Sequence, residues 1–95
     1  MNAYEIMVCL RPDLSEEEVN AYPERLATLI TTQGGQTVKD TTMGRRRLAY
    51  PIRHFHEGFY HVLNFTLDPA QVGQLEFQLR VNEDVLRHLI IREGE

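Results

Sequence analysis

Strand, helix, strand, strand, helix, strand is the element order these residues predict, which makes the chain an α+β domain of the ferredoxin-like, split βαβ class. Three observations carry that expectation. Helix-start signals stand at Ser15 and at Asp68-Pro69. The segments around them alternate apolar and polar side chains with period two. A length of 95 residues suits one domain with two helices on one face of a four-stranded antiparallel sheet, spanning residues 1–95.

The first strand is expected over 3–10, where Tyr4, Ile6, Val8 and Leu10 share one face and Glu5, Met7 and Cys9 the other. Pro12-Asp13 ends it. Ser15-Glu16-Glu17-Glu18 forms a capping box, with its carboxylates at the positive end of a helix dipole. Val19, Tyr22, Leu26, Leu29 and Ile30 then recur at helical spacing until Gly34-Gly35. Pro23 conflicts with this helix, and a kink there is expected rather than a break near Asn20.

A second strand should run from about Gln36 to Ile52, bulged at Gly44. His54 to Gly58 is expected as a turn. In the third strand Phe59, His61, Leu63, Phe65 and Leu67 take the core face, leaving Tyr60, Val62 and Asn64 opposite. Asp68-Pro69 opens a second helix with Val72, Leu75, Phe77 and Leu79 as apolar contacts. Asn82-Glu83-Asp84 is a turn, and Val85 to Arg92 the last strand, with His88 on core-facing parity. In the usual spatial order of this fold the second and fourth strands are edges, which accommodates Pro51. The sheet face without helices would carry Met7, Cys9, Tyr60, Val62, Arg87, Leu89 and Ile91, bordered by Arg45, Arg47 and Arg53. Leu48, Tyr50 and Ile52 have the opposite parity and are expected on the core.

Composition excludes several classes. One cysteine, Cys9, rules out an internal disulfide and a cysteine-based zinc site and fits a reducing cytosol. No apolar run approaches the roughly 20 residues of a membrane span, and the first residues lack a signal-peptide pattern. A cytoplasmic domain without a membrane partner is expected.

Charge is the most pointed feature. The chain carries a net charge of −4, yet Arg45, Arg46, Arg47 and Arg53 fall within ten residues, 44–53, that contain no acid. It has nine Arg and one Lys. Like charges held together repel, and the planar guanidinium fork suits phosphate. A strand would set Arg45 and Arg47 about 7 Å apart on one side. Arginine on an edge strand also guards against edge-to-edge aggregation, but the missing acids and the adjacent His54 and His56 favour an anionic partner. With acids clustered on the first helix, the expectation is one shaped nucleic-acid site whose binding weakens with salt. Tyr60 is the one aromatic residue of the third strand's open face, so base-by-base reading by stacking is not expected.

Catalysis is not expected. Cys9 lies mid-strand with no predictable base. Arg11 and Asn64 echo the phosphate chemistry of acylphosphatases, which share this element order, but the loop Arg11-Pro12-Asp13-Leu14-Ser15 has no glycine to build the cradle. His54-x-His56 lacks a third metal ligand, so neither metal nor cofactor nor small-molecule substrate is expected.

Gly44-x-Arg46-Arg47-Leu48-Ala49-Tyr50-x-Ile52-Arg53 resembles the signature of the bacterial small-subunit ribosomal protein numbered six. The resemblance spans the chain through Tyr4-Glu5, Pro12-Asp13-Leu14, Gly34, Gly58 and Asp84-Val85-x-Arg87. It implies a structural protein that binds the central domain of small-subunit ribosomal RNA and pairs with the small-subunit ribosomal protein number eighteen. By position, Arg46, Arg47, Arg53 and Arg87 match motif residues and become RNA-contact candidates. Charge alone adds Arg45, His54 and Arg80. Exposure on the open face makes Tyr60, Val62, Leu89 and Ile91 candidates for the protein partner. The family commonly has Arg where this chain has Asn2, and many members carry a longer tail. The competing expectation is a regulatory or oligomerisation module that uses its open sheet face.

Overall fold

The computed structural model describes residues 1–93 and realises the expected order. It comprises β1 (Asn2–Leu10), α1 (Glu16–Thr32), β2 (Gln36–Ile52), β3 (Phe55–Leu67), a 3-10 turn (Pro69–Gln71), α2 (Val72–Val81) and β4 (Val85–Arg92). The strands form one antiparallel sheet in the order β2-β3-β1-β4, so β2 and β4 are the edges.

α1 starts at its capping box. Ser15 Oγ accepts from the Glu18 N–H at 3.2 Å, and the Glu18 carboxylate accepts from the Ser15 N–H at 3.1 Å. The backbone bond from Ser15 holds the Glu18 carboxyl below its usual range. The helix runs unbroken through Pro23, between the buried Tyr22 and Leu26. A proline there forfeits one intrahelical bond, and sheet packing on either side holds the element together. Asp68 caps the second helical segment by accepting from the Ala70 N–H at 3.0 Å. One 3-10 turn precedes α2 proper.

The core is built by β1, β3 and the two helices. Tyr4, Ile6, Val8 and Leu10 stand opposite Phe65, Leu63, His61 and Phe59, and all face the helices. Tyr22, Leu26 and Ile30 of α1, Leu75 and Leu79 of α2, and Val85 of β4 close it. Phe77 does not join them: at 53% exposure it lies on the outer side of α2, two residues out of phase with Leu75 and Leu79.

β2 contributes no buried residue over its 17 positions. It is held by its ladder to β3, interrupted between Thr37 and Lys39, between Thr42 and Gly44, and between Arg47 and Ile52. The second interruption is the expected bulge, and Gly44 supplies it with φ +77°.

The expected turn at His54–Gly58 is displaced. The chain reverses at Arg53-His54, which link the paired Ile52 and Phe55 with φ +48° and +72°. A two-residue loop with both φ positive is the type I′ hairpin geometry that matches strand twist. Gly58 instead lies within β3 because space demands it: a Cβ there would stand 2.4 Å from Cys9 Sγ and 2.8 Å from the Leu10 carbonyl oxygen. The expected core role of Leu48, Tyr50 and Ile52 also fails. β1 pairs with β3 only as far as Phe59, so the hairpin overhangs the sheet, and Tyr50 is 59% exposed.

Candidate nucleic-acid interface

Register decides where the β2 arginines stand. Arg45 is opposite Phe59 and Arg47 opposite Glu57, on the helix-bearing side, whereas Arg46 is opposite Gly58 on the open side. The sequence expectation that Arg45 and Arg47 border the open face is therefore reversed. The extra residue in the Gly44 bulge exchanges the two faces for Arg45–Arg47 relative to Lys39–Thr42. The arginine triplet is split across the ribbon, presenting charge on both sides.

Their electrostatics also differ. Arg45 is ion-paired through Nη1 with the Glu57 carboxylate, and its guanidinium lies 4.7 Å from the centre of the Phe59 ring. Its charge is largely answered within the domain. Arg46 and Arg47 are exposed and form no ion pair among the described residues. These two are the ribbon's available cations.

Arg53 is committed differently. From the hairpin loop its Nη1 donates to the Glu83 carbonyl at 2.8 Å and its Nη2 to the Val85 carbonyl at 2.9 Å. The hairpin thus reaches past the end of β1 and fastens to the start of β4. No carboxylate is involved, so the guanidinium keeps its charge while its position is fixed. His54 beside it is exposed. Arg80, in the last turn of α2, and Arg87, on β4, are exposed and line the same cleft as Arg53. Of the seven candidate RNA contacts, three thus converge at the outer edge of β4 and three lie along β2.

The open face is organised in cross-strand rows. Gly44, Tyr60, Cys9 and Arg87 form one, and Thr41, Val62, Met7 and Leu89 the next. Lys39, Asn64, Glu5 and Ile91 form the third, where the Asn64 amide donates to Glu93 at 2.6 Å. The face grades from a row with Arg87 through an apolar one to a row where Glu5 and Glu93 stand with Lys39. Leu89 and Ile91, at 45% and 48% exposure, are its most prominent apolar side chains. Burial raises the Cys9 thiol pKa, against weaker lowering by Tyr60 and Arg87, so the sulfur is inert packing beneath the face. Tyr50, which sequence parity assigns to the core, lies near enough to Tyr60 to influence its phenol and belongs to the basic end. Among the described residues no group of three or more His, Cys, Asp or Glu side chains gathers where it could hold a metal ion.

The profile of the family described as "Ribosomal protein S6" matches residues 3–92. The chain belongs to the ribosomal protein S6 family. Members of this family are structural, non-enzymatic proteins of the small ribosomal subunit. The "Small ribosomal subunit protein bS6" of Symbiobacterium thermophilum is 42% identical over 95 residues, covering the whole of both chains. That of Desulforamulus reducens is 38% identical over the same span. The crystal structure of 30S ribosomal protein S6 from Thermotoga maritima superposes with a TM-score of 0.91 at 33% identity, covering 97% of this chain and 87% of that one. The C-terminal domain of MgtC from Mycobacterium tuberculosis, at 17% identity and a TM-score of 0.52, shares the fold alone. No helix among the described residues is long and apolar enough to cross a membrane.

Proposed function

We propose that this S6-family chain binds the central domain of small-subunit ribosomal RNA as one half of a heterodimer with the small-subunit ribosomal protein number eighteen, in the ribosome of the cytoplasm. One observation carries the RNA assignment: Arg46 and Arg47 stand exposed and without ion pairs, among the described residues, on an edge strand of a protein with net charge −4. Arg80 and Arg87 add charge at the other edge. Arg53 contributes from a fixed position, with His54 beside it and Arg45 as a cation already shared with Glu57. These groups position a phosphate backbone without reading bases.

The open face is the partner's. Its apolar row through Val62 and Leu89, flanked by Tyr60 and Ile91, fits a small protein, and the acidic end at Glu5 and Glu93 suits a basic one. Arg46→Gln with Arg47→Gln leaves the fold intact, since exposed substitutions change stability by less than about 0.5 kcal/mol. Incorporation of the double variant into small subunits falls, measured by sedimentation of reconstituted particles. Unchanged incorporation refutes the assignment of these two residues. In a separate measurement, Leu89→Ser with Ile91→Ser abolishes co-elution with the partner. A stable homodimer of the native chain that ignores ribosomal RNA would instead favour self-association through this face.

A further inference from the structure

The cleft at the outer edge of β4 gathers Arg53 from the hairpin loop, Arg80 from the end of α2, and Arg87 and His88 from β4, over a floor of Leu79 and Val85. Among the described residues no carboxylate lines it, in a chain whose acids outnumber its Lys and Arg, 14 to 10. Glu76 approaches only the His88 ring, at 3.8 Å. Three guanidinium groups in one concavity repel each other, and none of them forms an ion pair among the described residues, although Glu83 lies in the adjoining hollow that Arg53 and Arg80 also line.

The groups are also held in advance. Arg53 adopts a left-handed backbone conformation, φ +48°, which an L side chain rarely takes. That conformation places its fork on the Glu83 and Val85 carbonyls, which orders the guanidinium without neutralising it. Arg80 sits in the last turn of α2, where the helix dipole favours a cation. Arg80 and Arg87 make no ion pair among the described residues, so their forks are available. An ordered cation flanked by two free ones is a preformed anion site.

We propose that this cleft grips a backbone phosphodiester of the bound RNA, as a second anchor formed independently of Arg46 and Arg47. The proposal rests on the RNA-binding reading above and specifies a part of it. Arg53 is the positioning residue, and Arg80 and Arg87 close on the phosphate from the α2 and β4 sides. Two anchors on opposite edges of the sheet, β2 and β4, fix orientation as well as affinity.

The test measures binding of small-subunit ribosomal RNA by the full chain, with its protein partner present, across a series of KCl concentrations. Arg80→Gln and Arg87→Gln each make the slope of log K against log salt shallower by about 0.7 to 0.9, and together by about twice that. Thermal melts of both variants match the native chain, which separates a phosphate contact from a structural role. If the double variant keeps the native slope while Arg46→Gln with Arg47→Gln loses it, the second anchor is overturned and the RNA-binding reading stands. If the native chain with its partner shows no salt-dependent RNA binding at all, both readings fall. A third arm titrates the native chain with inorganic phosphate and follows the Arg80 and Arg87 Nε–H resonances. Saturable shifts there, combined with an unaltered RNA slope, identify a free-phosphate site and overturn the phosphodiester assignment.

Discussion

Arg53 donates to the Val85 carbonyl at 2.9 Å, tying the β2–β3 hairpin to a strand with which neither β2 nor β3 pairs. In the sheet, β1 lies between. The bond, with its companion to Glu83, holds the overhanging loop against the entry to β4. Arg53→Ala is expected to lower stability by about 1 to 2 kcal/mol, a range reduced for partial exposure of two charge-assisted bonds. Urea denaturation checks it. An unchanged midpoint would falsify the clamp.

Gly58 carries a different constraint. Any side chain there must displace the Cys9 sulfur and a backbone carbonyl, and backbone yields least. Gly58→Ala should destabilise by about 1 to 3 kcal/mol through overpacking. Gly58→Ala combined with Cys9→Ala should recover part of the loss, because removing the sulfur relieves the closer of the two collisions. Full additivity in the double-mutant cycle contradicts this account.

His61 makes folding sensitive to mild acid. Its ring is buried at 2% exposure, stacked on Tyr22 with centroids 6.2 Å apart, and Nδ1 lies 3.4 Å from Thr42 Oγ1. Nε2 has no hydrogen-bond partner among the described residues. Burial is the largest influence and lowers the pKa from the model-peptide value of 6.5, with Asp40 partly opposing it. The unfolded chain therefore binds more protons just below that value. Stability is full above it and declines as pH falls toward the folded-state pKa. His61→Leu should flatten stability between about pH 7.5 and about pH 5.5, a window above the carboxylate titrations. Equal slopes for the variant and the native chain would rule out His61 as the source.

Glu57 tests the local neutralisation of Arg45. Glu57→Gln removes the ion pair while leaving Arg45 over the Phe59 ring. The released cation should steepen the salt dependence of RNA binding by about 0.7 to 0.9 in log–log slope. No change would place Arg45 outside the RNA contact.

Most of the fold was legible because period-two alternation and capping residues are local signals. Ser15–Glu18 and Asp68 marked both helical segments, and β1 and β3 alternate without error onto core and open faces. The misplaced features share a cause in register. Nothing local marks Arg53-His54 as a type I′ loop, since the usual Asn-Gly pair is absent, and Gly58 offered a more familiar turn residue. The Gly44 bulge was visible, but its effect was not: one extra residue moved Arg45 and Arg47 to the face opposite the one expected. The charge of the site was legible from composition, whereas its pairing was not. Only the folded arrangement separates Arg45, matched by Glu57, from Arg46 and Arg47, or brings Arg80 beside Arg53.

The absence of any buried residue in β2 has a consequence for how the chain can change. Substitutions along that ribbon leave the hydrophobic interior untouched, so variation in the contacts it offers is uncoupled from whether the molecule folds. The same independence means its amides, secured by one neighbour only, should exchange with deuterium before those of β1 or β3. What this strand presents to other molecules is, in that sense, an interchangeable fitting on an invariant frame.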